Sequence, residues 1–164
     1  MRRTLFAVGS LALLCGIAAA QAQHDHAHGS AAPAHAAAAA ASDTRELVLM
    51  PQPLAEHMLA NMRDHLVALQ EIQEHLGKGH MDIAARITEK RLGLSSLGLH
   101  GAHEVARYMP PGMQDAGSAM HKAASRLAIV ATDAAVTGEM APVFSALATV
   151  TGACVGCHAG YRIK

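Results

Sequence analysis

From about Arg45 to Tyr161 apolar residues return every third and fourth position, and glycine or proline interrupts the pattern at intervals. That period belongs to amphipathic helices and leaves no room for strand-like alternation. The first segment runs from about Gln52 to Leu76. Pro51 precedes it, Pro53 sits in its first turn, and Gly77-Lys78-Gly79 closes it. Its apolar side gathers Met58, Met62, Leu66, Leu69, Gln73 and Leu76, with His65 at the edge. The second runs from about Met81 to Leu97 and stops near Gly98, with Ile83, Ala84, Ile87, Leu94 and Leu97 partly on one face. A loop over 98–111 ends in Pro110-Pro111. The third segment, about Gly112 to Val136, has a seam of Met113, Ala116, Gly117, Met120, Ala124, Leu127, Val130, Ala131 and Ala134. The fourth, about Glu139 to Tyr161, has Pro142 in its first turn. It aligns Met140, Val143, Phe144, Leu147, Val150, Cys154, Cys157, His158 and Tyr161. Four such helices with short connections predict an all-α, antiparallel four-helix bundle over residues 45–164.

The N-terminal part reads differently. Met1-Arg2-Arg3 is a charged start, Leu5 to Ile17 an apolar run, and Ala18-Ala19-Ala20-Gln21-Ala22 a small-residue cleavage region. This is the pattern of a secretory signal peptide over residues 1–22. The apolar run falls short of the ~20 residues a bilayer span needs, so no membrane anchor is expected. Cys15 lies inside the signal and follows Leu14, which argues against lipoprotein processing. Residues 23–44 are rich in alanine and histidine and lack any amphipathic pattern, which predicts a disordered leader. Loss of Arg2 and Arg3 leaves 11 Lys+Arg against 13 Asp+Glu, a formal charge of −2. Neither nucleic acid nor an anionic membrane surface is expected as a partner at that balance.

Two cysteines remain after processing, and both lie in the run Cys154-Val155-Gly156-Cys157-His158. Their number excludes a disulfide framework. The spacing suits covalent attachment of one haem c. Two thiols add to the two vinyl groups, and the following histidine projects an imidazole toward the iron. A thioredoxin-like site would need a βαβ context, and a structural zinc site would need a second ligand pair. With two Phe, two Tyr and no Trp in the chain, a flat macrocycle would fill volume that large side chains usually fill.

The motif lies on the last helix and continues into Ala159-Gly160-Tyr161-Arg162. Cys154, Cys157, His158, Tyr161 and Arg162 together resemble the C-terminal signature of the class II c-type cytochromes, the group of cytochrome c′ and its low-spin relatives. The resemblance extends over about Leu47 to Lys164, although only the C-terminal run is specific. It implies a four-helix bundle with haem on the C-terminal helix, a proximal His158, and Arg162 one turn on, near the haem edge. A C-terminal arginine that merely complements the helix dipole is the plain alternative.

In that family the first helix crosses the distal face of the haem. A methionine there gives six-coordinate, low-spin iron for electron transfer. A Leu, Phe or Val there leaves five-coordinate iron open to NO or CO. Here Met62 is best centred on the apolar side, Met58 lies one turn earlier, and His65 sits off centre. Met62 is the expected distal ligand. Met58, His65 and the absence of any side-chain ligand remain open, because core filling is the ordinary use of methionine.

The other histidines have weaker claims. His57, His75 and His80 belong on solvated faces or near helix ends. His100, His103 and His121 are candidates for a second metal, against the ordinary alternative of satisfied or exposed imidazoles. His24, His26 and His28 offer the leader copper, nickel or zinc. The sequence as a whole points to a soluble periplasmic electron carrier with redox protein partners and a possible homodimer. It shows no catalytic triad or carboxylate dyad, so no enzymatic turnover is expected. A gas-binding cytochrome c′ and a metal-handling or sensor module are the rivals.

Overall fold

The computed structural model describes residues Asp43–Lys164, which form one compact unit. The expected signal peptide, Cys15 and the leader histidines His24, His26 and His28 lie outside the described residues. A short strand β1 (Glu46–Val48) leads into α1 (Gln52–Gly77) and α2 (Met81–Arg91). A single 3-10 turn (Leu94–Ser96) and a short α3 (Ala102–Ala106) follow. Then come α4 (Pro111–Thr137), α5 (Met140–Gly160) and the strand β2 (Tyr161–Ile163).

The breaks fall where backbone chemistry requires them. Pro51 and Pro110 precede α1 and α4, where a missing N–H costs nothing. Gly138 ends α4 in the left-handed region at φ 76°, its N–H donating to the Ala134 carbonyl. Gly79 does the same work after α1, also at φ 76°. The second helix is shorter than its apolar pattern suggests, ending at Arg91 rather than Leu97. Backbone N–H groups of Leu92 and Gly93 close onto the Thr88 carbonyl, and Glu89 bonds the Ser95 N–H, so the chain turns into the 3-10 segment. The expected loop 98–111 contains α3, which buries Val105.

Local periodicity also misses the strands. β1 and β2 pair in parallel, with Glu46 opposite Tyr161, Leu47 opposite Arg162 and Val48 opposite Ile163. The fourth helix therefore ends at Gly160, and Tyr161 and Arg162 lie on β2 instead of continuing the helix. The ladder continues beyond the strands, with Lys164 N–H donating to the Val48 carbonyl. This places the start of the folded unit beside the Cys-x-x-Cys-His turn.

α1 packs on α2, α2 on α4, and α4 on α5. The main core lies among these helices, with Ile72, Leu127, Val143 and Val150 fully buried. Thr88 is buried in it too, its hydroxyl donating to the Ala84 carbonyl. A second, smaller core joins Val48, Met50, Ala55, Met58, Val105 and Met113. The seam of α4 follows the periodic pattern, whereas that of α1 is rotated. Ala68, Ile72 and His65 are inside, while Leu66 is 68% exposed. On α5 Val143 is buried and Phe144 faces outward. α5 is also the one helix among the described residues long and apolar enough to cross a membrane by composition, with a mean hydropathy of 1.6. Arg91 joins α1 to α2 through ion pairs with Asp64 and Glu71.

Candidate cofactor cleft

Cys154, Cys157 and His158 occupy the last turns of α5, so one helical face presents all three. Both thiols are free and half-buried, and His158 is exposed. Cys154 packs against the main core, whereas Cys157 packs against the smaller one together with Met62, Met109 and Tyr161. The motif thus stands at the seam between two apolar clusters. Burial pushes both thiols above the ordinary cysteine value, and Cys154 adds to this at Cys157. They are neutral thiols at pH 7.

A cleft of about 190 Å³ opens at this seam. Cys154, Cys157 and His158 form one side, and α1 contributes Met58, Met62 and His65. Val105, Met109 and Met120 supply apolar wall from α3, its following turn and α4. A second cleft of about 240 Å³ adjoins it, sharing Met58, Met62, Cys157 and His158. Its own lining includes Arg45, Tyr161 and Arg162. Both methionines singled out in the first helix therefore face the motif. Met58 is buried and Met62 half-buried.

Tyr161 and Arg162 reach the cleft from the strand, where the sequence pattern suggests a helix. The Tyr161 hydroxyl lies against Gly112 at the start of α4, so close that a Cβ at that position would stand 2.5 Å from it. Arg162 pairs with Asp43 at 3.4 Å, and its Nε is buried without a hydrogen-bond partner. Asp43 is held mainly by Arg45, whose guanidinium keeps its carboxyl down at about 2. Arg162 stands on β2, two residues beyond the end of α5.

The residues fit a covalently held haem. Two thiols and an imidazole converge on an apolar opening between two cores. Beside it the Arg162 guanidinium, paired with Asp43 at 3.4 Å, sets a positive charge that suits an anionic edge group such as a propionate.

The histidines sort themselves in space. His65, His100 and His121 meet in the wall of the first cleft, whereas His103 is exposed on α3 and stands apart. His75 and His80 face each other on the surface at the α1–α2 turn, with Nδ1 atoms 3.4 Å apart. His57 lies against Gly101. The sequence places His65 only at the edge of the apolar face, and its depth went unread. A polar residue lowers the apparent moment of the very face it occupies. His65 is held down at about 4, first by burial and then by the charges of His100 and His121. His100 is lowered too, by burial and by His121.

A pH dependence follows. In the unfolded chain these rings take protons near ~6.5. Between there and about 4 the unfolded state binds more protons than the folded one, so stability rises with pH across that window. In chelator-containing buffer, the urea midpoint is expected to fall from pH 7 to pH 5. The cost is ~1.4 kcal/mol per unit for a fully shifted histidine. His65→Gln should flatten the profile; an unchanged profile in that variant would show that His65 does not titrate as its burial requires.

No family model, no curated protein and no solved structure matches this chain.

Proposed function

We propose that the chain is a periplasmic monohaem c-type cytochrome that carries single electrons, and that α1, α2, α4 and α5 form the antiparallel four-helix bundle of the class II group. The observation that carries this reading is the placement of Cys154, Cys157 and His158 on one apolar cleft, opposite Met58 and Met62 of α1.

In this reading Cys154 and Cys157 would hold the haem by thioether bonds, each S–H adding across a vinyl group with no oxidant consumed. When bound, the haem would supply the one-electron couple of its iron. His158 from α5 and Met62 from α1 would be the residues that hold that iron. Thioether ligation and apolar burial both favour the ferrous state and raise the potential. Met109 and Met120 keep water from the buried side, and Arg162, paired with Asp43, sets a positive charge beside the opening. Exposed Val155, between the two cysteines, and exposed Phe144 give α5 an apolar surface suited to a redox partner protein. The functional reading includes no substrate turnover, and homodimer formation is compatible with it. Secretion through residues 1–22 accounts for the periplasmic location.

The test is the optical and magnetic spectrum of oxidised and reduced protein, beside Met62→Ala and Met58→Ala. Low-spin spectra with a methionine–iron charge-transfer band, lost in Met62→Ala and retained in Met58→Ala, are expected. High-spin spectra in the unmutated protein, with rapid CO uptake, would replace the carrier by a gas-binding cytochrome c′.

A further inference from the structure

The three imidazoles in the cleft wall are not needed by the cofactor reading, and their arrangement is specific. His65 comes from α1, His121 from α4, and His100 from the segment between the 3-10 turn and α3. His65 and His121 are each 8% exposed. Ring centres stand 4.7 Å apart for His65–His100, 5.4 Å for His100–His121 and 6.0 Å for His65–His121. Three imidazoles on one tetrahedral ion, at metal–nitrogen distances of ~2.0–2.1 Å, have ring centres about 5.2 Å apart. The observed separations bracket that value. His65 Nε2 and His100 Nδ1 are 3.5 Å apart, close to the ~3.4 Å between two nitrogens on one such ion.

The tautomer of the third ring is fixed by its partner. His121 Nδ1 lies 2.8 Å from the Leu92 carbonyl, which only accepts, so Nδ1 carries the hydrogen and Nε2 the lone pair. A ring N–H donated to a backbone carbonyl is the usual outer support of a metal-ligating histidine. Ser96 Oγ, buried, lies 3.4 Å from His100 Nδ1 and 3.5 Å from His121 Nδ1. Burial keeps His65 and His100 neutral at pH 7, the form a metal requires. Beside them Asp64, ion-paired with Arg91, favours positive charge at both His65 and His100.

We propose that His65, His100 and His121, in the wall of the cleft onto which Cys154 and Cys157 open, form a metal site for a divalent first-row cation of the zinc type. Among the described residues no three donors already converge on one point, so binding includes a small approach of the three rings from the separations above. Water or the Ser96 hydroxyl completes the coordination.

The proposal is tested by zinc titration of the full chain as purified, with His24, His26, His28 and His35 replaced by alanine to silence the leader. His100→Ala, His121→Ala and the surface control His80→Ala are compared in that background. Helical content by circular dichroism checks that each variant is folded. One zinc per chain is expected. Its affinity should fall at least ~100-fold in His100→Ala and His121→Ala and hold in His80→Ala. If His121→Ala does not fold, the half-buried His100→Ala carries the comparison. Repeating the titration with Cys154→Ser/Cys157→Ser separates this site from thiolate binding, so the result stands whether or not haem is attached. No zinc binding in the leader-silenced chain, or binding unchanged in His100→Ala, would overturn the proposal.

Discussion

Replacing Cys154 and Cys157 together with serine is expected to remove all covalently bound chromophore from the purified protein. A serine hydroxyl does not add to a vinyl group under these conditions, so no thioether forms. Any haem that still enters the cleft is then held by coordination and burial alone and is extracted by acidified acetone. Haem staining on a denaturing gel reads the difference as presence against absence. The substitution should also destabilise the fold. Without a plug, the cleft of about 190 Å³ leaves the walls of two apolar clusters without contacts. At ~24 cal/mol per Å³ of cavity this corresponds to at most about 4–5 kcal/mol, and entry of water into the open mouth reduces it. Covalent chromophore persisting in the double variant, or missing from the unmutated chain expressed with a haem-attachment system, would end the cytochrome reading.

Leu127→Ala is the second large effect. Leu127 lies on α4, fully buried in the main core between the neighbours of α2 and α5. Truncation loses the transfer free energy of the removed carbons and leaves a void that rigid helices fill only in part. The expected cost is about 3–5 kcal/mol. Against a total stability of ~5–15 kcal/mol that is a large share, and Tm should drop by ~10–20 °C. Phe144→Ala is the matched control. This larger side chain is 58% exposed on α5, and its removal should cost less than ~0.5 kcal/mol. Equal losses in the two variants would mean that the helices pack in a different register.

The contrast between those two residues shows how far local pattern reaches. Leu127 is legible because α4 is covered along its whole length by apolar seam positions, and the helix period alone selects them. Phe144 is misjudged because α5 is apolar nearly all round, so its period carries little direction. Helix boundaries set by proline and glycine, at Pro51, Pro110 and Gly138, are likewise legible, since those residues act through their own backbone.

His65 fails for a different reason. Periodicity scores hydrophobicity, and a buried imidazole next to two others counts against the face it occupies. Only the approach of α4 and of the segment after Gly93 makes its burial tolerable, by bringing His100, His121 and Ser96 to it.

By itself the sequence determines a mostly helical chain and the run Cys154-Val155-Gly156-Cys157-His158 on which the proposed haem reading rests, because helical period and motif spacing are local properties. It also makes Met62 the expected distal residue, with Met58, His65 and no side-chain ligand left open. The tertiary structure decides the pairing of β1 with β2, which takes Tyr161 and Arg162 out of the helix and leaves the Arg162 Nε buried beside the cleft. It also decides the meeting of His65, His100 and His121. Both depend on contacts between residues tens of positions apart or more, and such closures depend on how the whole core packs rather than on any window of neighbouring residues.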